Sequence, residues 1–184
     1  RARDLEEGRR LASAPALVVL AALGTPPAAH ALRGVNYNVT NYPSALLAQR
    51  QPAFRTVMSI LNADVVVSQE LQSSAGVDSF RTNVLNVLEP GQWASAPFTN
   101  GNDTDNALYY KPSKVTLLGS WSFYPNPANL LRLVNCYRLM PVGYSDASAE
   151  LRIYSQHLKA STGTTNVNQR AAEALGIRDS MNAV

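Results

Sequence analysis

Cysteine is almost absent from this sequence, since Cys136 is the only one among 184 residues. A single cysteine excludes an internal disulfide and any zinc site built from several thiolates. Histidine is nearly as scarce, with only His30 and His157. Imidazole chemistry in the body of the chain therefore falls on His157.

Long runs of basic or apolar residues are also missing. No Lys/Arg run follows residue 10, and the formal net charge is only +3, so no basic nucleic-acid-binding arm is visible in the sequence. Hydrophobic residues make up 46% of the chain and charged residues 16%, a balance typical of a folded globular protein. The apolar stretch 11–24 is shorter than the roughly 20 residues of a membrane-spanning helix.

The N-terminal segment has the three parts of a secretory signal peptide. Residues 1–10 contain four Arg and three acidic residues, the apolar stretch 11–24 follows, and Ala29-His30-Ala31 supplies a small-x-small cleavage site. We predict a signal peptide over 1–31, a mature chain that begins at Leu32, and a secreted or periplasmic product without a stable membrane anchor. A buried helix or an uncleaved anchor is the alternative.

Hydrophobic periodicity predicts a mixed α and β domain over residues 32–184. Pro52 is expected to break the first helix into two pieces, and Lys111-Pro112-Ser113 is expected to close a hairpin between its two flanking strands. The predicted strands are 33–39, 64–69 (buried on both faces), 106–110, 114–121, 137–143 and 149–156. The predicted helices are 43–61, 76–88 and 167–182.

Three polar residues each close a predicted strand: Asn38, Glu70 and His157. They supply an amide, a carboxylate and an imidazole, and strand ends hold such groups rigidly at a shared cleft. A carboxylate with an amide suits a hard cation such as Mg²⁺, and an imidazole can contact a phosphate or transfer a proton. Spacing alone leaves open that the three are unrelated structural polar residues.

The sequence around these residues resembles that of the endonuclease/exonuclease/phosphatase superfamily over nearly all of 32–184. "RGVNYNVTNY" is similar to its first strand, which ends in the motif Asn, and "NADVVVSQEL" to its Gln-Glu strand. "NALYYKPSKVTLLG" is similar to its central hairpin, and "LRIYSQHLKAS" with "NQRAAEA" to its His-Leu-Lys strand and following helix. The "HLKA" variant resembles exported bacterial, nuclease-like members.

The resemblance implies a four-layer αββα sandwich of the DNase-like type, present as an incomplete N-terminal half that forms mainly one sheet. It implies that Glu70 binds Mg²⁺ or Mn²⁺, that Asn38 positions the metal or a phosphate oxygen, and that His157 contacts the scissile phosphate. Arg138 is a further candidate catalytic residue, and Tyr137 beside it could also reach the cleft. Arg170 is interpreted as a solvated helix residue.

The family pattern also contains motifs that do not occur before Val184. These are a Gly-Asp-x-Asn strand after the His helix and an Asp-His pair, which would orient water and supply a general base. The residues present should form at most half a site, so we predict that 32–184 alone is inactive and, with one sheet face uncovered, poorly stable.

The function that the resemblance implies is metal-dependent hydrolysis of a phosphate ester, and an extracellular nuclease acting on nucleic acid is the leading form. One alternative is a lipid phosphodiesterase of the sphingomyelinase type, for which the aromatic residues Trp121, Phe123 and Tyr124 could form an exposed hairpin. The other is a non-catalytic fragment that serves as a binding module.

Overall fold

A computed structural model describes residues 31–44 and 46–183. The predicted signal peptide falls almost wholly outside this range, so the signal peptide and export stay predictions. The described residues form seven strands, four α-helices and a short 3-10 helix, Ala147–Ala149, and no helix among them is both long and apolar enough to cross a membrane. The helices are α1 (Leu47–Leu61), α2 (Ser74–Phe80), α3 (Asn86–Leu88) and α4 (Thr164–Asn182), with a π-helical turn, Arg81–Leu85, joining α2 to α3.

The first sheet has four strands in the order β1-β2-β4-β3. Its members are β1 (Gly34–Tyr42), β2 (Val65–Leu71), β3 (Ala94–Ser95) and β4 (Asp105–Tyr110). β1 and β2 are parallel and are joined through α1, whereas β4 is antiparallel to β2. Because β1 and β2 are parallel, their carboxyl ends lie at the same edge of the sheet.

The second sheet is an antiparallel meander of β5 (Val115–Phe123), β6 (Val134–Pro141) and β7 (Leu151–Ser155). In its register, Asn135 of β6 lies opposite Ser155 of β7, and Arg138 lies opposite Arg152. The segment after Ser155, which carries His157, therefore leaves the sheet at the end where β6 begins.

Three apolar cores stack these elements into four layers. Alternation along β2 is clear, since Val66 belongs to the core beneath the helices while Val65 and Val67 belong to the core between the sheets. α4 packs on the outer face of the second sheet through Ile177, against Val134 and Cys136. The predicted αββα sandwich is confirmed, but the expectation of mainly one sheet is wrong: strands of both sheets are present and their inner faces are in contact.

The residues after β4 cross from one sheet to the other. β4 already pairs with β2 on one side and β3 on the other, so no edge is left for β5, and the predicted hairpin is wrong. Instead, a tight turn (Lys114 N to Lys111 O, 2.9 Å) directs the chain into the second sheet. The Lys111 ammonium anchors this crossover, 2.8 Å from Glu89 Oε1 and over the Trp93 ring.

Pro52 lies inside α1 but does not break it. A proline removes one backbone hydrogen bond and crowds the preceding turn, yet Phe54 and Met58 on the next turns are buried in the helix-side core. That burial keeps the helix continuous to Leu61, so the predicted division into two pieces is wrong. The other predicted strands and helices are present, with ends shifted by a few residues.

Candidate active site at the carboxyl ends of β1, β2 and β7

Glu70 lies at an irregularity near the end of β2, where the pairing with β4 shifts between Ser68 and Leu71. Its backbone is left-handed, with φ +65°, an uncommon conformation for a residue with a side chain. The carboxylate is held on both oxygens: Asn38 Nδ2 donates to Oε1 at 2.9 Å, and the Asn41 amide donates to Oε2 at 3.1 Å. The Glu70 side chain is thereby fixed at the sheet edge.

Asn38 connects this carboxylate to the end of β1. Its Oδ1 accepts from the Thr40 amide at 2.8 Å, so the side chain bridges its own strand and Glu70. Thr40 and Asn41 both have positive φ, 47° and 51°, and this irregular end of β1 turns the Asn41 amide towards Glu70. The structure thus brings Asn38 and Glu70 together, with the amide orienting the carboxylate.

His157 approaches the pair from the second sheet. Its Nε2 lies 3.6 Å from Glu70 Oε1, and both side chains are about one-fifth exposed. Burial and the nearby charge of Arg132 lower the pKa of His157, against a smaller opposing effect of Glu70. The imidazole is therefore neutral at neutral pH, and its buried Nδ1 has no hydrogen-bond partner among the described residues.

Arg132 is a site residue that the sequence did not reveal. Its Nε donates to Asp103 Oδ2 at 2.9 Å and its Nη1 to the Leu158 carbonyl at 3.1 Å. The guanidinium is thus held against the segment that carries His157. Arg132 and Asp103 both lie in loops without periodicity, and no sequence signal connects them to His157.

The segment after His157 is also fixed from α4. The buried Glu173 carboxylate accepts from the Lys159 amide at 2.8 Å, and Arg170 donates to the carbonyls of Lys159 and Ser161 at 3.0 and 2.8 Å. Arg170 is therefore not a solvated helix residue, as its sequence context suggested. It holds the loop that follows the candidate histidine.

Arg138 and Tyr137 are not brought to this site. Arg138 lies towards the other end of β6, where its guanidinium donates to both carboxylate oxygens of Glu150 at 2.8 and 2.6 Å. This pairing, together with the hydrogen bond from Arg152, lowers the pKa of Glu150 to about 2. Tyr137 is buried between the sheets, which raises its pKa. Both residues are left out of the candidate site.

The donor set suits a hydrated hard cation held by one carboxylate. Each Glu70 oxygen accepts one hydrogen bond, and a carboxylate has about four acceptor positions. Mg²⁺ commonly keeps several waters and binds only one or two carboxylates. Among the described residues, no cluster of three or more His, Cys, Asp or Glu could hold a metal. Glu70 is the candidate ligand because its fixed carboxylate has acceptor positions beyond the two hydrogen bonds that it accepts.

Comparison with known proteins identifies the fold through solved structures but finds no relative by sequence. No family model and no curated protein matches the chain. Among solved structures, a mannosyl-6-phosphatase from Bacteroides thetaiotaomicron has a TM-score of 0.62 and 15% identity, covering 83% of this chain and 60% of that one. An endonuclease/exonuclease/phosphatase family protein from the same bacterium gives 0.61 and 13%, with coverages of 81% and 58%.

A third similar structure is D. rerio TDP2 complexed with a single-strand DNA product. Its TM-score is 0.57 at 16% identity, with 78% of this chain and 51% of that chain covered. The chain therefore has the endonuclease/exonuclease/phosphatase fold, which confirms the resemblance read from the motifs at the level of the fold. It spans between 51 and 60% of the length of these three proteins.

Proposed function

We propose that this chain carries the metal-binding and phosphate-contacting part of a divalent-metal-dependent phosphodiester hydrolase that acts on nucleic acid. The observation that carries the proposal is the approach of His157 from one sheet to within 3.6 Å of Glu70 on the other. Fixed polar groups of complementary chemistry at a shared sheet edge are typical of an active site.

In this proposal each residue has a separate task. Glu70 holds Mg²⁺ or Mn²⁺, and Asn38 orients the Glu70 carboxylate. The bound cation would polarise a phosphoryl oxygen and neutralise charge on it. His157, neutral at neutral pH, is able to donate a hydrogen bond to a phosphate oxygen or to take up a proton. Arg132, held by Asp103 and by a backbone carbonyl, adds positive charge beside the phosphate position.

Nucleic acid is the proposed substrate class, and the TDP2 structure with its single-strand DNA product supports it by similarity of fold. The lipid alternative loses the feature on which it depended. Trp121 and Phe123 pack against the core between the second sheet and α4, and Trp121 contacts the Tyr154 ring edge-on. Tyr124, the third ring of the cluster, is half-buried like the other two, so the three rings do not form a fully exposed apolar hairpin.

Metal binding tests the proposal directly in this chain. Replacing Glu70 by Gln keeps the side-chain shape but removes the charge that a hard cation requires. We expect Glu70→Gln to weaken Mn²⁺ binding at least about tenfold by electron paramagnetic resonance titration. Glu150→Gln is the control, because Glu150 is a hydrogen-bonded carboxylate outside the candidate site, held by Arg138 and Arg152, and the affinity of this variant should stay close to that of the parent.

A parent chain that does not bind Mn²⁺, or a Glu70→Gln variant that binds it as well as the parent, would contradict the proposal. We expect no hydrolysis of single-stranded DNA by this chain alone, since the resemblance assigns the water-orienting groups to motifs that do not occur before Val184. Metal-dependent hydrolysis of single-stranded DNA by residues 32–184 would refute the expectation that this chain alone is inactive. If a longer form of the protein also binds the metal without hydrolysing DNA, the binding-module alternative is favoured.

A further inference from the structure

We propose that Asn106 is a positioning residue, whose side-chain amide fixes the second sheet against the first so that His157 stands beside Glu70. The inference rests on the proposed function, because only a site shared by the two sheets requires them to be held in one register.

Asn106 lies on β4, is 2% exposed, and points its amide nitrogen across the gap between the sheets. Nδ2 lies 2.9 Å from the Leu133 carbonyl, 3.1 Å from Asn135 Oδ1 and 3.3 Å from the Ser155 carbonyl. A single side chain of the first sheet thus contacts three parts of the second sheet: the residue just before β6, β6 itself, and the end of β7.

The acceptors are next to the groups that form the candidate site. Leu133 directly follows Arg132, and Ser155 precedes His157 by two residues. On the other side, β4 pairs with β2, with Asp105 opposite Leu71, so Asn106 lies beside the strand that carries Glu70. Asn106 therefore links β4, which pairs with the strand of Glu70, to the backbone segments beside Arg132 and His157.

The core between the sheets consists of apolar side chains, including Val67, Leu108 and Leu139. The Asp103–Arg132 ion pair is a further polar contact, but it joins the loops that precede β4 and β6. Apolar burial is non-directional, so it holds the sheets together without selecting one relative position. Hydrogen bonds do select a position, because they weaken steeply with distance and angle. Three acceptors around one nitrogen also require a donor there, and a carboxylate at the same position would repel all three.

The test combines removal of the donor, partial restoration and a packing control. Asn106→Leu keeps the branching and the number of heavy atoms of the side chain but removes the amide. Asn106→Ser provides one hydroxyl donor, and Leu108→Ala disturbs the same interface without removing a side-chain hydrogen bond. Two quantities are measured: Mn²⁺ affinity, and Mn²⁺-induced broadening of the His157 ring signal in NMR, which falls off steeply with distance from the metal.

We expect Asn106→Leu to bind Mn²⁺ with affinity close to that of the parent, because Glu70 and Asn38 both lie on the first sheet. The broadening of His157 should fall severalfold in Asn106→Leu, recover in part in Asn106→Ser, and stay unchanged in Leu108→Ala even if Leu108→Ala melts at a lower temperature. Unchanged broadening in Asn106→Leu overturns the inference.

If the parent protein binds no Mn²⁺, the proposed function is contradicted. The positioning role of Asn106 is then tested by a second measurement that needs no metal. In a crystal structure of Asn106→Leu, or of Asn106→Ser if the leucine variant does not fold, we expect the distance from Glu70 Oε1 to His157 Nε2 to exceed that of the parent. The same distance in parent and variant overturns the positioning role, whatever the metal result.

Discussion

Asp105 is a buried carboxylic acid at the start of β4, 2% exposed. Its Oδ1 accepts from the Gly101 amide at 2.8 Å, while Oδ2 has no partner among the residues that the structure describes. Burial raises the pKa of Asp105 from 3.8 to about 6. The folded state therefore holds the proton more tightly than the unfolded state, and stability falls as the pH rises from about 4 through about 6.

We predict that Asp105→Asn, which cannot ionise, removes this loss. At pH 8 the free energy of unfolding should be about 1–3 kcal/mol higher in the variant than in the parent, and at pH 4 the difference should largely disappear. Urea unfolding at pH 4, 6 and 8 measures it. Asp179→Asn, at an exposed carboxylate, is the control, and a difference of equal size at all three pH values would contradict the explanation.

The residues of the candidate site divide by how much sequence signal they carry. Asn38, Glu70 and His157 lie at or near the ends of predicted strands with recognisable hydrophobic patterns, so they could be selected from the sequence, and the structure brings them together. Arg132 could not, because the Asp103 carboxylate and the Leu158 carbonyl that it contacts are brought near it only by the fold. Arg138 was misplaced for the same reason: its position along β6 and its partner Glu150 depend on strand register, which is non-local.

At the scale of elements, α4 stabilises the loop that follows His157. Glu173, 4% exposed, accepts from the Lys159 amide at 2.8 Å and from Gln169 at 3.2 Å. We predict that Glu173→Ala lowers the free energy of unfolding by about 1–3 kcal/mol, because a buried amide is left without its acceptor. Glu173→Gln keeps an acceptor oxygen and should lose less.

Thermal and urea unfolding of both variants measures this effect, and equal losses in Glu173→Ala and Glu173→Gln would show that the carboxylate oxygen is not what matters. The helix itself could be predicted from its sequence. Its anchoring role could not be predicted, because polar and apolar residues are mixed around the circumference of α4. Only Glu173 and Ile177 of this helix are buried.

At the scale of the whole molecule, local patterns located most strands but did not assign them to sheets. β2 could be predicted as buried on both faces because its run of valines is continuous. The turn chemistry of Lys111-Pro112-Ser113 is the same for a hairpin and for a crossing between sheets, and only the occupied edges of β4 decide between them. The expectation of mainly one sheet is wrong because strands of both sheets lie among the described residues, and the poor stability expected from an uncovered sheet stays an untested prediction.

The crossover at Lys111-Pro112-Ser113 has a consequence for how the molecule opens. It ties the central strand of one sheet to the next strand through a tight turn anchored by a buried lysine, and the inter-sheet core depends on both partners. Neither sheet should therefore act as a separate foldon. In native-state hydrogen exchange we expect the slowest amides of β2 and β6 to share one opening free energy, lowered equally in both strands by Lys111→Ala. Two distinct opening free energies would show that the sheets unfold independently.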